Sequence, residues 1–227
     1  EQTISHTDNA KAIILEWIKD INSGTCTVYL QGDGTSISAR TLPNIINSSI
    51  APRIFFSGPE SLEILRLKAP STCWIKQFSN KTADTVLSFN TKDEITTRCI
   101  GPAKHISLLL QDSVDDNLHF KSDVNPKHPL YVVSKFVKSK VDRTDKQNVF
   151  NFAEKFRELT LPPYGLFKSH AGYGMLAFAL RPYVDKVFDT TGKPINAQRM
   201  QELIDDTFKI WDGASSNIHK VDVKFET

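Results

Sequence analysis

The run KFVKSKVDRTDK sets Lys135, Lys138, Lys140, Arg143 and Lys146 within one short stretch, opposed there only by Asp142 and Asp145. Cationic clusters of this kind attract phosphate, because each contact releases counterions condensed on a nucleic acid. A second set, Lys168, Arg181, Lys193 and Arg199, surrounds the segment VDKVFDTTGKPI. Residues 118–227 carry an excess of four positive charges and residues 1–117 an excess of two negative ones, giving the net charge of +2. The chemistry that these residues suggest is sequence-independent contact with phosphate oxygens. The competing reading is a solvated helix face and loop.

Other chemistries find fewer of the residues they need. A phosphate-binding loop requires glycines followed by lysine and a hydroxyl side chain. GDGTS (32–36) has no lysine, and Gly192–Lys193 is followed by Pro194, with Val187 where the first glycine should stand. The six histidines are nine or more residues apart, and Cys26, Cys73 and Cys99 show no C-x-x-C spacing, so no metal or other cofactor is expected. There is no Gly-x-Ser-x-Gly elbow for a serine nucleophile. Asp205, Asp206, Asp222 and Lys224 allow one enzymatic alternative, a metal-dependent nuclease. A third alternative is a protein-interaction surface without a nucleic-acid role, built on Tyr164, Phe167 and Tyr173.

These groups must be held by the elements the pattern predicts. Ala12, Ile13, Leu15, Trp17, Ile18 and Ile21 recur at helical spacing, so a helix is expected over 8–22. TCTVYL (25–30) reads as a strand and residues 31–36 as a turn. TLPNIINSSI and GPESLEILRLKA suggest two short helices, and STCWIKQF and TVLSF short strands. Four segments in the second half have helical periodicity: HPLYVVSKFVKSKV, NVFNFAEKFREL, AGYGMLAFALRPY and NAQRMQELIDDTFKIWDG. Asn196 is placed to cap the last, and Gly213 to stop it. VDKVFDTTGKPI reads as a small hairpin, and HKVDVKFE alternates like a half-buried strand. Gly172 and Gly174 give one helix a smooth side suited to close approach, by a neighbouring helix, DNA or another domain.

The expected fold class is α+β: a mixed α/β unit over 1–120, then a mainly helical module with a small hairpin over 121–227, arranged like a winged helix. With 40% apolar and 24% charged residues the composition is that of a folded chain. The polar N-terminus and the absence of a long apolar run predict no membrane span. The unpaired cysteines suit a reducing cytoplasmic setting.

The PPYGL turn, the helix after it, the GKPI hairpin and the following helix resemble the C-terminal regions of very large bacterial P-loop ATPases of anti-phage defence, of the BREX kind and its relatives. The resemblance covers about residues 145–213. It implies that the ATPase core lies outside this chain, in keeping with the missing initiator methionine, and that the chain is a non-catalytic region. Its partners would be DNA or other domains and subunits of the larger complex.

Overall fold

A computed structural model describes residues 2–30, 32–61, 81–100, 103–144 and 148–225. Its contacts divide the chain into two compact units, Glu1–Ala51 and Pro52–Thr227.

In the first unit helix α1 (Gln2–Ser23) stops at Gly24, whose φ of 73° only glycine adopts without strain. The Gly24 and Thr25 amides donate back to the Ile21 and Asp20 carbonyls, satisfying the helix end. Strands β1 (Cys26–Leu30) and β2 (Asp33–Ile37) pair antiparallel, with Cys26 opposite Ile37 and Leu30 opposite Asp33. The turn expected over 31–36 is therefore shorter, and DGTSI continues as strand. Gly32, at φ 94°, allows the tight reversal, while Thr35 and Ser36 tolerate an extended backbone. Helix α2 (Leu42–Ile45) is followed by a π-helical turn over Ile46–Ile50, and α3 (Ala51–Ile54) starts at the last residue of this unit and otherwise belongs to the second. Among the described residues of this unit, Ile37 is the one apolar side chain that is buried.

The second unit is built around α9 (His170–Leu180), every residue of which is buried. Ahead of it come α4 (Lys81–Ser88), α5 (Lys92–Arg98), α6 (Lys104–Gln111), α7 (Pro129–Asp142), the two-residue strand β3 (Phe150–Asn151) and α8 (Phe152–Lys155). After it come α10 (Ala197–Trp211) and β4 (Asp222–Val223). Helices α4, α6, α7 and α10 all pack on α9. The glycines on α9 make this packing possible. A Cβ at Gly174 would lie 2.0 Å from Ile106 Cδ1, and one at Gly172 would lie 2.3 Å from the Phe167 carbonyl oxygen. The smooth side of α9 is thus filled by α6 and by the turn before the helix, which leaves no room there for DNA or another domain. Ser169 caps α9 by accepting from the Gly172 amide at 3.0 Å.

β3 pairs antiparallel with β4, Phe150 facing Val223 and Asn151 facing Asp222. Phe188 extends this small sheet, bridging to Lys224 on one side and to Pro194 on the other. The expected hairpin is therefore a bridged loop, closed around Asp189, which accepts from the Thr191 and Lys193 amides at 2.8 and 2.9 Å. The last segment starts as a 3-10 turn (Ile218–Val221) before extending, with Val221 and Val223 buried.

The fold is α+β and mainly helical, as expected, but several elements differ. All of TVLSF except Phe89 is helical within α4, because Ala83, Val86 and Leu87 bury at helical spacing where a strand would alternate. NVFNFAEKFREL is not one helix: pairing with β4 extends Phe150 and Asn151, Asn151 then caps a single turn, and a 3-10 turn follows over Arg157–Thr160. Helices α5 and α6 are additional to the expected elements. STCWIKQF and most of GPESLEILRLKA lie outside the described residues. Helices α4 to α6 contribute Ala83, Val86, Ile95, Ile106 and Leu109 to the same core as α7, α9 and α10.

Candidate nucleic-acid interface

Helix α7 begins at His128, whose Nδ1 accepts from the Leu130 amide at 3.3 Å, with Pro129 in the first turn. Leu130, Val133 and Val137 are buried, facing the core. The stripe 131, 135, 138, 142 is thereby turned outward. Lys135 and Lys138 are exposed one turn apart, and exposed Arg143 follows the last helical residue. Lys135 Nζ sits 4.9 Å from the centre of the Tyr131 ring, an aromatic support that leaves its charge in solvent. Among the described residues no carboxylate forms an ion pair with Lys135, Lys138 or Arg143. Lys140 differs: its Nζ is 2.6 Å from Glu158 Oε1 and 5.0 Å from the Phe136 ring centre, so it belongs to a surface tie between α7 and the turn after α8. Lys146 lies outside the described residues.

The second set of cations does not form one surface. Arg181 is spent on structure: its guanidinium donates to the Val86 carbonyl at 2.8 Å, to the Phe89 carbonyl and to Asn90 Oδ1 at 3.0 Å, closing the C-terminal end of α4. This corrects its expected role in nucleic-acid contact. Lys168 is half-buried and engaged by a neighbour. Lys193 is exposed on the hairpin loop, beside a groove of about 390 Å³ that runs to the first turn of α10 and is also lined by Asp189, Asn196, Gln198, Arg199 and Glu202. Arg199 in that groove pairs with Glu202 at 2.7 Å. Asn196 caps α10 as expected, accepting from the Arg199 amide at 2.9 Å.

The aromatic interaction surface is not formed. Tyr173 is fully buried, stacked on Phe208 with ring centres 4.3 Å apart. Its position on the central helix overrides the expectation that it faces a partner. Tyr164 is half-buried against Phe136, and Phe167 is half-buried and engaged.

The acidic residues of the nuclease alternative fall into two networks. Asp205 accepts from the Tyr173 hydroxyl at 2.8 Å and holds Lys209 at 2.5 Å, while Asp206 lies 3.7 Å from Lys209. Asp222 accepts from Asn151 Nδ2 at 2.6 Å and meets His219 Nδ1 at 3.0 Å. Among the described residues no three His, Cys, Asp or Glu side chains are grouped to hold a metal ion. Burial pushes the Cys99 thiol up to about 11, which keeps it protonated and unreactive at neutral pH.

One surface was not singled out by sequence reasoning. On α1, Ile13, Ile14, Leu15, Trp17 and Ile18 are between 48% and 65% exposed. Ile18 also borders a groove of about 460 Å³ with Ile21, Ala39, Leu42, Pro43 and Ile46. The periodicity marked the stripe, but only the structure shows that it is uncovered. Among the described residues no helix is long and apolar enough to cross a membrane. Compared with known proteins, the chain matches no protein family, no curated protein and no solved structure.

Proposed function

We propose that this chain is a non-catalytic region of a larger bacterial P-loop ATPase of the anti-phage-defence kind, and that it binds the phosphate backbone of DNA through the outer face of α7. The parent class rests on the resemblance over about residues 145–213. The binding role rests on one observation, that Lys135, Lys138 and Arg143 are exposed together while Lys140, Arg181 and Arg199 are tied to carboxylates or carbonyls. Such a face reads charge and not sequence, because it offers ammonium and guanidinium groups without a groove for base edges. Lys193 on the hairpin loop adds a further contact. Reversing the three α7 charges to glutamate weakens binding equally on unrelated DNA sequences; unchanged affinity removes α7 from the reading.

A second reading is favoured by the first unit. A unit of some fifty residues in which one apolar side chain is buried among the described residues shows little core of its own, and its apolar α1 face is stabilised by covering it. On this reading the first unit docks onto another protein of the complex. An uncovered face binds a hydrophobic reporter dye, and Ile14→Lys with Trp17→Lys abolishes that signal. No dye binding by the native chain rules the open face out.

A further inference from the structure

The Pro-Pro-Tyr-Gly turn that carries much of the resemblance has an occupant within the chain. Its own backbone closes without help: the Tyr164 and Gly165 amides both donate to the Leu161 carbonyl, at 2.9 and 3.0 Å, and the Leu166 amide donates to the Leu159 carbonyl at 2.7 Å. Tyr164 then packs on Phe136 of α7, ring centres 5.2 Å apart. Across this finished turn runs the segment Phe55–Gly58. The Ser57 amide donates to the Pro163 carbonyl at 2.9 Å. A Cβ at Gly58 would lie 1.4 Å from the Tyr164 carbonyl oxygen, and one at Gly165 would lie 2.4 Å from Cδ1 of Phe55. Gly58 therefore lets the strap backbone meet the backbone of the turn, and Gly165 leaves room for the Phe55 ring, at distances that no side chain permits.

We propose that the Pro-Pro-Tyr-Gly turn is a socket and that Phe55–Gly58 is a strap latched into it, able to open while the rest of the second unit stays folded. The strap's separate stability follows from what it lacks. The buried apolar cluster of the second unit runs from Ala83 to Val223 and takes no residue from the strap. Within the strap Ser57 and Gly58 are buried against the turn, but its apolar side chains are not: Phe55 is half-buried and Phe56, like Ile54 before the strap, is exposed. Segments held by few buried apolar contacts open with a smaller free energy than the core they sit on. This latch does not depend on the nucleic-acid reading.

Native-state hydrogen exchange on the full chain tests it. The Ser57 amide exchanges at least about 100-fold faster than the buried amides of α9, reporting local opening. Gly58→Ala speeds exchange at Ser57 by a further tenfold or more, in order of magnitude, with α9 unchanged, as expected for loss of close contact in one local unit. Phe55→Ala, which removes packing over Gly165 without forcing a clash, acts in the same direction. Exchange at Ser57 as slow as in α9, or equal acceleration of both sites by either variant, overturns the proposal. So does loss of the folded state in both variants.

Discussion

The Tyr173 hydroxyl donates to Asp205 Oδ1 at 2.8 Å while Lys209 Nζ holds the other carboxylate oxygen of Asp205 at 2.5 Å, joining the central helix to α10 through one buried acid. Burial, then the hydrogen bond to Asp205, raises the phenol far above its usual range, so it stays a donor at any accessible pH. The same carboxylate raises Lys209. Tyr173→Phe keeps the stacked ring and removes the donor. It is expected to cost about 1–3 kcal/mol in denaturant unfolding, because a buried carboxylate loses a partner. DNA affinity stays unchanged, since this network is not part of the α7 face.

The two glycines of α9 separate two kinds of close approach. Alanine is the better helix former by about 1 kcal/mol, so in an open helix both substitutions would stabilise. Here Gly174→Ala meets the end of the Ile106 side chain, whereas Gly172→Ala meets the fixed backbone carbonyl of Phe167. Both variants lose stability, Gly172→Ala the more. Ile106→Val, which deletes the clashing Cδ1, restores much of the loss in the Gly174→Ala background and none in the Gly172→Ala background. Thermal unfolding of the single and double variants checks this coupling.

Acid weakens the second unit. Burial first, and the neighbouring His170 second, lower His105 from the usual 6.5 to about 4. The folded state binds its proton less well than the unfolded chain does, so stability is full above about pH 6.5. It is lost as pH falls toward 4, at up to about 1.4 kcal/mol per pH unit for one group. Burial lowers His128 as well, with the same sign. Urea midpoints measured between pH 7 and 4 fall in the native chain and fall less steeply in His105→Leu.

Arg181 distinguishes a structural cation from a binding one. Its three donations close the end of α4, and burial lowers its affinity for the proton without discharging it. Arg181→Ala is expected to cost about 1–3 kcal/mol in stability, the range for leaving buried carbonyls unmade. Its DNA affinity matches that of the native chain under conditions where both are folded. A selective loss of binding would return Arg181 to the interface.

Much of the second unit was legible because its signals are local. The cap at Asn196 and the buried spacing of Met200, Leu203, Ile204 and Phe208 follow from short-range rules. What escaped depends on partners distant in sequence. Phe150 and Asn151 leave the helical pattern because β4, some seventy residues on, pairs with them. Tyr173 reads as a surface aromatic until α10 is seen stacked on it. The two sets of cations were visible as composition, but not which members are bound within the fold: Lys140 of the first is held by Glu158 and Arg181 of the second by α4, distinctions that exist only in three dimensions. The strap is likewise silent in sequence, since nothing local links Gly58 to Tyr164.

Whether Lys135, Lys138 and Arg143 bind phosphate is decided by fluorescence anisotropy of labelled duplex DNA over a salt series. Binding is expected at low salt and weakens with a log–log slope of about 3, near 0.9 per phosphate contact, and a triple charge reversal removes both the binding and the slope. No binding at low salt, or binding that survives the triple reversal with its slope intact, contradicts it.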